Sequence, residues 1–119
     1  MARQRKRVAT SKPMRPRKAK RAKSSSRPRC RIVVLGVGGA GNRIVSRLAN
    51  DGITGAECIA VNTDLKDLDS VDGVQRVLIG ERVTRGLSAG GNPDTGKAAA
   101  EESKALIESL VENVDVAFV

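Results

Sequence analysis

Seven residues, Gly36-Val37-Gly38-Gly39-Ala40-Gly41-Asn42, stand between the run Arg31-Ile32-Val33-Val34-Leu35 and a segment in which Ile44, Val45 and Leu48 recur at helical spacing. A short β-branched run that stops at a glycine reads as a buried parallel strand. Asn50-Asp51-Gly52 then supplies a helix stop. Strand, glycine turn and helix in that order leave backbone amides facing outward, where the helix macrodipole favours an anion. Glycine lets the backbone turn tightly and approach a ligand that side chains would hold away. A turn used only to pack the strand against the helix is the plainer alternative. The position of the loop, after a strand and opening a helix, favours a phosphate-bearing ligand.

The same alternation continues along the chain. Cys58-Ile59-Ala60-Val61 reads as a second strand ending in Asn62-Thr63-Asp64, and Arg76-Val77-Leu78-Ile79 as a third ending at Gly80. Between Asn92 and Asn113, Ala98, Ala99, Leu106, Ile107, Leu110 and Val111 fall largely on one side of a long helix, and Val114 to Val119 reads as a fourth strand. Strands and helices of these lengths in alternation predict an α/β fold, a Rossmann-like parallel sheet joined by right-handed crossovers. Ligands of such sheets sit beyond the carboxyl ends of the strands, so the three loops that follow the strands are expected on one rim.

Charge divides the chain in two. Of 22 Lys and Arg, 14 fall in the first 31 residues with no acid among them, leaving 8 basic against all 13 acidic residues in the remainder, a balance of −5. Residues 1–30 are therefore expected to form a disordered basic arm, too poor in apolar side chains to offset the entropy of ordering. Such an arm suits contact with nucleic acid or an acidic membrane surface, or simply solvation. It carries no aromatic residue for base stacking. An organelle transit peptide is a further reading of an Arg- and Ser-rich, acid-poor segment, which no amphipathic face supports. With no histidine and only Cys30 and Cys58, the sequence offers no histidine-containing metal site and no disulfide framework. The expectation is a soluble cytoplasmic protein.

Gly36, Gly38 and Gly41 satisfy G-x-G-x-x-G, which keeps an NAD- or ATP-binding Rossmann enzyme domain open as an alternative. Asp64, the acidic residue that would hold ribose hydroxyls, comes somewhat late for it. The loop has no lysine, so an ordinary P-loop is ruled out. A further small-residue loop, Thr84-Arg85-Gly86-Leu87-Ser88-Ala89-Gly90-Gly91-Asn92-Pro93, runs into a helix that Asn92 can cap with Pro93 in its first turn. By itself it reads equally well as a flexible surface loop with an ordinary helix cap. On the same rim as the first glycine loop it is expected to reach a terminal phosphate.

The order of these motifs resembles the tubulin/FtsZ family of cell-division GTPases. The likeness rests on Gly36 to Asn42, Ile59-Ala60-Val61-Asn62-Thr63-Asp64, Ile79-Gly80-Glu81, residues 84–87, Ala89-Gly90, Asn92-Pro93 and Ala99-Ala100-Glu101-Glu102-Ser103, and it spans residues 31–119. The resemblance implies a filament-forming GTPase that binds GTP or GDP with Mg2+ held through the nucleotide and that assembles head to tail with copies of itself. Division-machinery proteins are implied as partners, and the cytoplasm at the division site as location, with a plastid as second choice. It also implies roles: Gly36, Gly38, Gly39, Ala40, Gly41 and Asn42 along the phosphates, Asn62 and Asp64 near the ribose and phosphate edge, and Ala89, Gly90, Gly91 and Asn92 near the γ-phosphate. Arg43 stands where many members have a second Asn, and Ser88 and Gly91 where Gly and Ala are usual. The family's GGGTGTG loop, its guanine-reading residues and its water-activating acidic loop would follow Val119. The chain is thus expected to be the first part of the GTPase domain, positioning phosphate without a catalytic residue of its own.

Overall fold

The computed structural model describes residues 29–119. The arm read over residues 1–30 lies, apart from its last two residues, outside the described residues. The element order is β1 (Ile32–Val37), α1 (Gly38–Asn50), β2 (Ala56–Asn62), α2 (Leu65–Asp69), β3 (Gln75–Leu78), α3 (Glu81–Thr84), α4 (Pro93–Glu102), α5 (Lys104–Leu110) and β4 (Val116–Phe118). The strands form one sheet in the order β3-β2-β1-β4, and every pairing is parallel.

Alternation along the strands sorts the apolar side chains onto two faces. Val33 and Leu35 join Ile59, Val61, Val77 and Ile79 in one cluster, closed by Ile107 and Leu110 of α5. Their sequence neighbours Val34, Cys58 and Ala60 point the other way, into a second cluster with Val45 and Leu48 of α1, Leu68 of α2, and Val71. Both faces are covered, which is why the strands read as continuous apolar runs. The topology gives the physical reason. From β1 the chain steps to β2 and β3 on one side, then returns to place β4 on the other. If each crossover keeps the right-handed sense, the returning helices α4 and α5 must lie on the opposite face from α1 and α2. The strand order reverses between β1 and β4; this is where an open α/β sheet forms its ligand crevice.

Four details depart from the sequence reading. β1 does not stop at Gly36 but pairs through Val37, with Gly36 opposite Ala60 and Val37 opposite Val61. Two short helices, α2 and α3, follow β2 and β3 directly; at 5 and 4 residues they are too short to show an apolar period. The long helix between Asn92 and Asn113 is interrupted at Ser103, whose backbone leaves the helical region (φ −99°, ψ 19°) while its Oγ accepts a hydrogen bond from Gly80 N at 2.9 Å. β4 is confined to Val116–Phe118.

At the amino ends of the strands Arg31 ties the sheet together. Its backbone N donates to Asp115 Oδ2 at 2.6 Å, and its guanidinium donates to Glu57 Oε2 at 3.4 Å and to the Glu112 carbonyl at 3.3 Å. This fastening lies at the end of the sheet away from the glycine loops. No helix among the described residues is long and apolar enough to cross a membrane.

Candidate nucleotide site

The first loop is built by close approach of a helix to a strand. A Cβ on Gly36 would fall 2.2 Å from the Gly41 carbonyl oxygen, and one on Gly41 would fall 2.9 Å from the Gly36 carbonyl carbon. α1 therefore sits directly on the end of β1 only because both positions are glycine. Gly38 has another reason: its φ is +72°, and the space beside it is open. α1 starts with no side-chain hydrogen bond at its N-cap, Val37, and no acidic residue in its first turn. Its leading amides are thus left without side-chain partners and with the positive end of the macrodipole.

Behind those amides lies Asn42, fully buried, with neither Oδ1 nor Nδ2 paired among the described residues. Leaving such a group unsatisfied costs about 1–3 kcal/mol. A buried amide one turn into a glycine-loop helix marks a place where a further polar partner belongs.

The second loop is organised by Asn62. Its Oδ1 accepts from Thr63 N at 2.8 Å and from Asp64 N at 3.2 Å, and its Nδ2 donates to Asp67 Oδ2 at 2.9 Å. Asp64 caps α2 by accepting from Asp67 N at 3.2 Å. Both side chains therefore hold the turn that carries them. Asp67 was missed by the sequence reading, yet its Oδ2 would lie 2.9 Å from a Cβ on Gly39, so it joins the second loop to the first. The Asp64-x-x-Asp67 spacing, a cap followed by an acid in the first turn, was the available signal. Arg43, Asp64, Lys66, Asp67 and Ser70 line a depression of about 290 Å³ beside this junction.

The third loop leaves α3 through Arg85, left-handed at φ 55°, and Gly86. Leu65 N donates to the Gly86 carbonyl at 3.0 Å, and Thr84 Oγ1 lies 3.5 Å from the Thr63 carbonyl, which binds the third loop to the second. Ser88 Oγ accepts from Gly90 N at 3.1 Å, and Asn92 Oδ1 accepts from Asp94 N at 3.0 Å to cap α4, with Pro93 opening it. Gly90 and Gly91 are both left-handed with open space where a Cβ would stand. Loops after β1, β2 and β3 are thus linked in series along one rim. Among the described residues, no group of three or more His, Cys, Asp or Glu could hold a metal ion.

A model of the Tubulin/FtsZ family, GTPase domain, matches residues 31–119. The chain belongs to the tubulin/FtsZ family. Its similarity to individual family members is high: 50% identity over 91 residues with cell division protein FtsZ 1 of Pyrococcus horikoshii, and 48% over 89 residues with cell division protein FtsZ 2 of Methanocaldococcus jannaschii. These alignments cover 76% and 75% of this chain but 24% and 23% of those relatives, so the chain spans about a quarter of the length of the curated relatives it matches. In three dimensions the chain is similar to a point mutant of FtsZ from M. jannaschii, with TM-score 0.72 and 43% identity over 75% of this chain and 27% of that one. It is also similar to CetZ2 from Haloferax volcanii, solved as a GTPγS-bound protofilament, with TM-score 0.65 and 30% identity over 75% of this chain and 29% of that one. Tubulin/FtsZ membership, with the parallel sheet and its linked loops, decides against an unrelated NAD- or ATP-binding Rossmann enzyme.

Proposed function

We propose that the rim binds GTP and GDP and that the protein works as a filament-forming cell-division GTPase. The uncapped N-terminus of α1 behind Gly38 is the observation that carries this reading, because it presents free amides and a positive dipole end at the reversal of strand order. The amides of Gly38, Gly39, Ala40, Gly41 and Asn42 take the phosphates, with Gly36 supporting them by admitting α1 close to β1. The turn shaped by Asn62 and Asp64 meets the ribose and phosphate edge. The loop through Ala89, Gly90, Gly91 and Asn92 meets the terminal phosphate. In this reading Mg2+ comes with the nucleotide and takes its ligands from the phosphates and water. In this reading the described residues bind the nucleotide, and hydrolysis belongs to the contact between successive copies. Exposed Leu65, Val83 and Leu87 stand on this side of the sheet and offer apolar area for that contact.

Titration of the full-length gene product with GTP, GDP, ATP and NAD, with and without Mg2+, tests the reading. GTP and GDP are expected to bind most tightly, and GTP to produce sedimentable polymer. Preference for ATP or NAD would reject it.

The domain division follows: residues 1–30 as a basic arm, residues 31–119 as the GTP-binding part. The 13 Lys and Arg of residues 1–30 make the arm a partner for a polyanion, nucleic acid or acidic lipid, with affinity falling steeply as salt rises. Deletion of the arm should abolish retention on DNA or on acidic vesicles while leaving GTP binding unchanged. Division-machinery proteins and a cytoplasmic place at the division site complete the proposal.

A further inference from the structure

The loop at residues 85–92 hangs between two helices, and the far helix holds both of its ends. Asn92 caps α4 directly. At the other end the last turn of α4 grips α3: Glu102 places Oε1 3.0 Å from Arg82 N and Oε2 3.1 Å from Val83 N, accepting both hydrogen bonds. Next to it Ser103 Oγ accepts from Gly80 N at 2.9 Å. Ala99, fully buried, fills the space a Cβ on Gly80 would need, its own Cβ only 2.2 Å from that point. Ala99, Glu102 and Ser103 are spaced i, i+3 and i+4, so they face α3 together. α3 has four residues and no side-chain hydrogen bond at its own N-cap, Gly80. Its leading amides depend on a carboxylate about 20 residues away in sequence. A negative group at a helix N-terminus making two charge-assisted hydrogen bonds is a strong local contact.

We propose that Glu102 is a positioning residue for this loop. It clamps α3, and so sets how the backbone of Ala89, Gly90 and Gly91 stands over the rim and how well the site tells a nucleoside triphosphate from a diphosphate. This rests on the reading that the loop meets the terminal phosphate. Arg85 and Gly86 follow α3 without a break, so rotation or fraying of α3 moves the loop's near end. The first glycine loop and the Asn62 turn are carried by β1 and β2 and keep their own hydrogen bonds. Loss of the clamp therefore acts first on the terminal phosphate, and it reaches the Asn62 turn only through the Leu65–Gly86 and Thr84–Thr63 contacts, while the internal hydrogen bonds of that turn stay in place.

The test uses the full-length gene product with Glu102→Gln, which keeps the volume and removes the charge, beside Ser103→Ala and a variant of the loop itself, Gly90→Val. Hydrogen exchange at the Arg82 and Val83 amides, in nucleotide-free protein, reads the clamp directly. GTP and GDP affinities, each measured by calorimetry, read its consequence. In Glu102→Gln those amides should exchange about tenfold faster and GTP affinity should fall about tenfold, the equivalent of one charge-assisted hydrogen bond, with GDP affinity unchanged. If Gly90→Val lowers the GTP-to-GDP preference and Glu102→Gln does not, the clamp is overturned and the loop reading stands. If neither variant changes the preference, both fail. Equal losses for GTP and GDP overturn the proposal as well, since they describe a residue of general structural use. Should Glu102→Gln not fold, Ser103→Ala releases the same end of α3 through Gly80 and carries the same expectation.

Discussion

Gly36 and Gly38 stand two residues apart and are glycine for different reasons. At Gly36 the obstacle is matter: a Cβ would fall 2.2 Å from the Gly41 oxygen and 2.7 Å from Val45 Cγ2. At Gly38 it is conformation, with φ at +72° and nothing nearby. Gly36→Ala should therefore lose about 1–3 kcal/mol or more through overpacking, and fail to fold if α1 cannot shift. Gly38→Ala should lose about 1–2 kcal/mol, the left-handed penalty alone, and remain folded while its anion loop changes shape. Urea denaturation of the two variants reads the order, with the larger loss expected for Gly36→Ala; a larger loss for Gly38→Ala would contradict the distinction. Asn42 leads to a different expectation. Its buried amide lacks a partner among the described residues, so Asn42→Leu should leave the nucleotide-free protein as stable as before, or more so, while weakening GTP binding. A large drop in the thermal midpoint without nucleotide would show that Asn42 already has an internal partner.

Among the elements, the α4–α5 pair shows which local effects dominate. The helices carry the exposed i,i+4 pairs Lys97–Glu101 at 3.9 Å and Lys104–Glu108 at 3.7 Å. Each such pair is worth about 0.3–0.5 kcal/mol, whereas an Asn N-cap is worth about 0.5–2 kcal/mol. Asn92→Ala should then destabilise more than either Lys97→Ala or Lys104→Ala, as read by thermal unfolding. The reverse order would mean that the loop before α4 supplies another cap. The break at Ser103 was not legible from the apolar spacing, because Ala99, Ile107 and Leu110 keep a helical period across it. At the interruption the Ser103 hydroxyl accepts from a glycine 23 residues earlier. α2 and α3 escaped the sequence reading for a related reason: each exists through contacts made at its ends, the Asp64 cap for one and the Glu102 carboxylate for the other.

For the whole molecule the consequential surface is at β4. It pairs with β1, and Val116, Phe118 and Val119 are exposed beside a depression of about 300 Å³ lined by Val34, Leu35, Gly36, Ile44 and Val45 among others. Among the described residues β4 has no second neighbour, and an open parallel edge next to apolar side chains is a site of association. The 119-residue chain expressed alone should bind a hydrophobic dye and sediment heavier than a monomer, and Phe118→Lys should reduce both. A monodisperse chain with a cooperative melt and no dye binding would oppose this.

The sequence alone determined the alternation of strand and helix, the two-faced apolar pattern of the strands, the three loops at their carboxyl ends and the likeness to the tubulin/FtsZ family. These are local: periodicity, glycine content and caps are written within a few residues of where they act. Tertiary structure decided what depends on residues far apart in the chain. It fixed the place of β4 beside β1, which creates the reversal of strand order. It made Gly36 and Gly41 a contact, brought Asp67 over Gly39, and set Glu102 on the amides of α3. Each of these is a distance across the fold, and a distance of that kind leaves no periodic trace in either of the segments that meet.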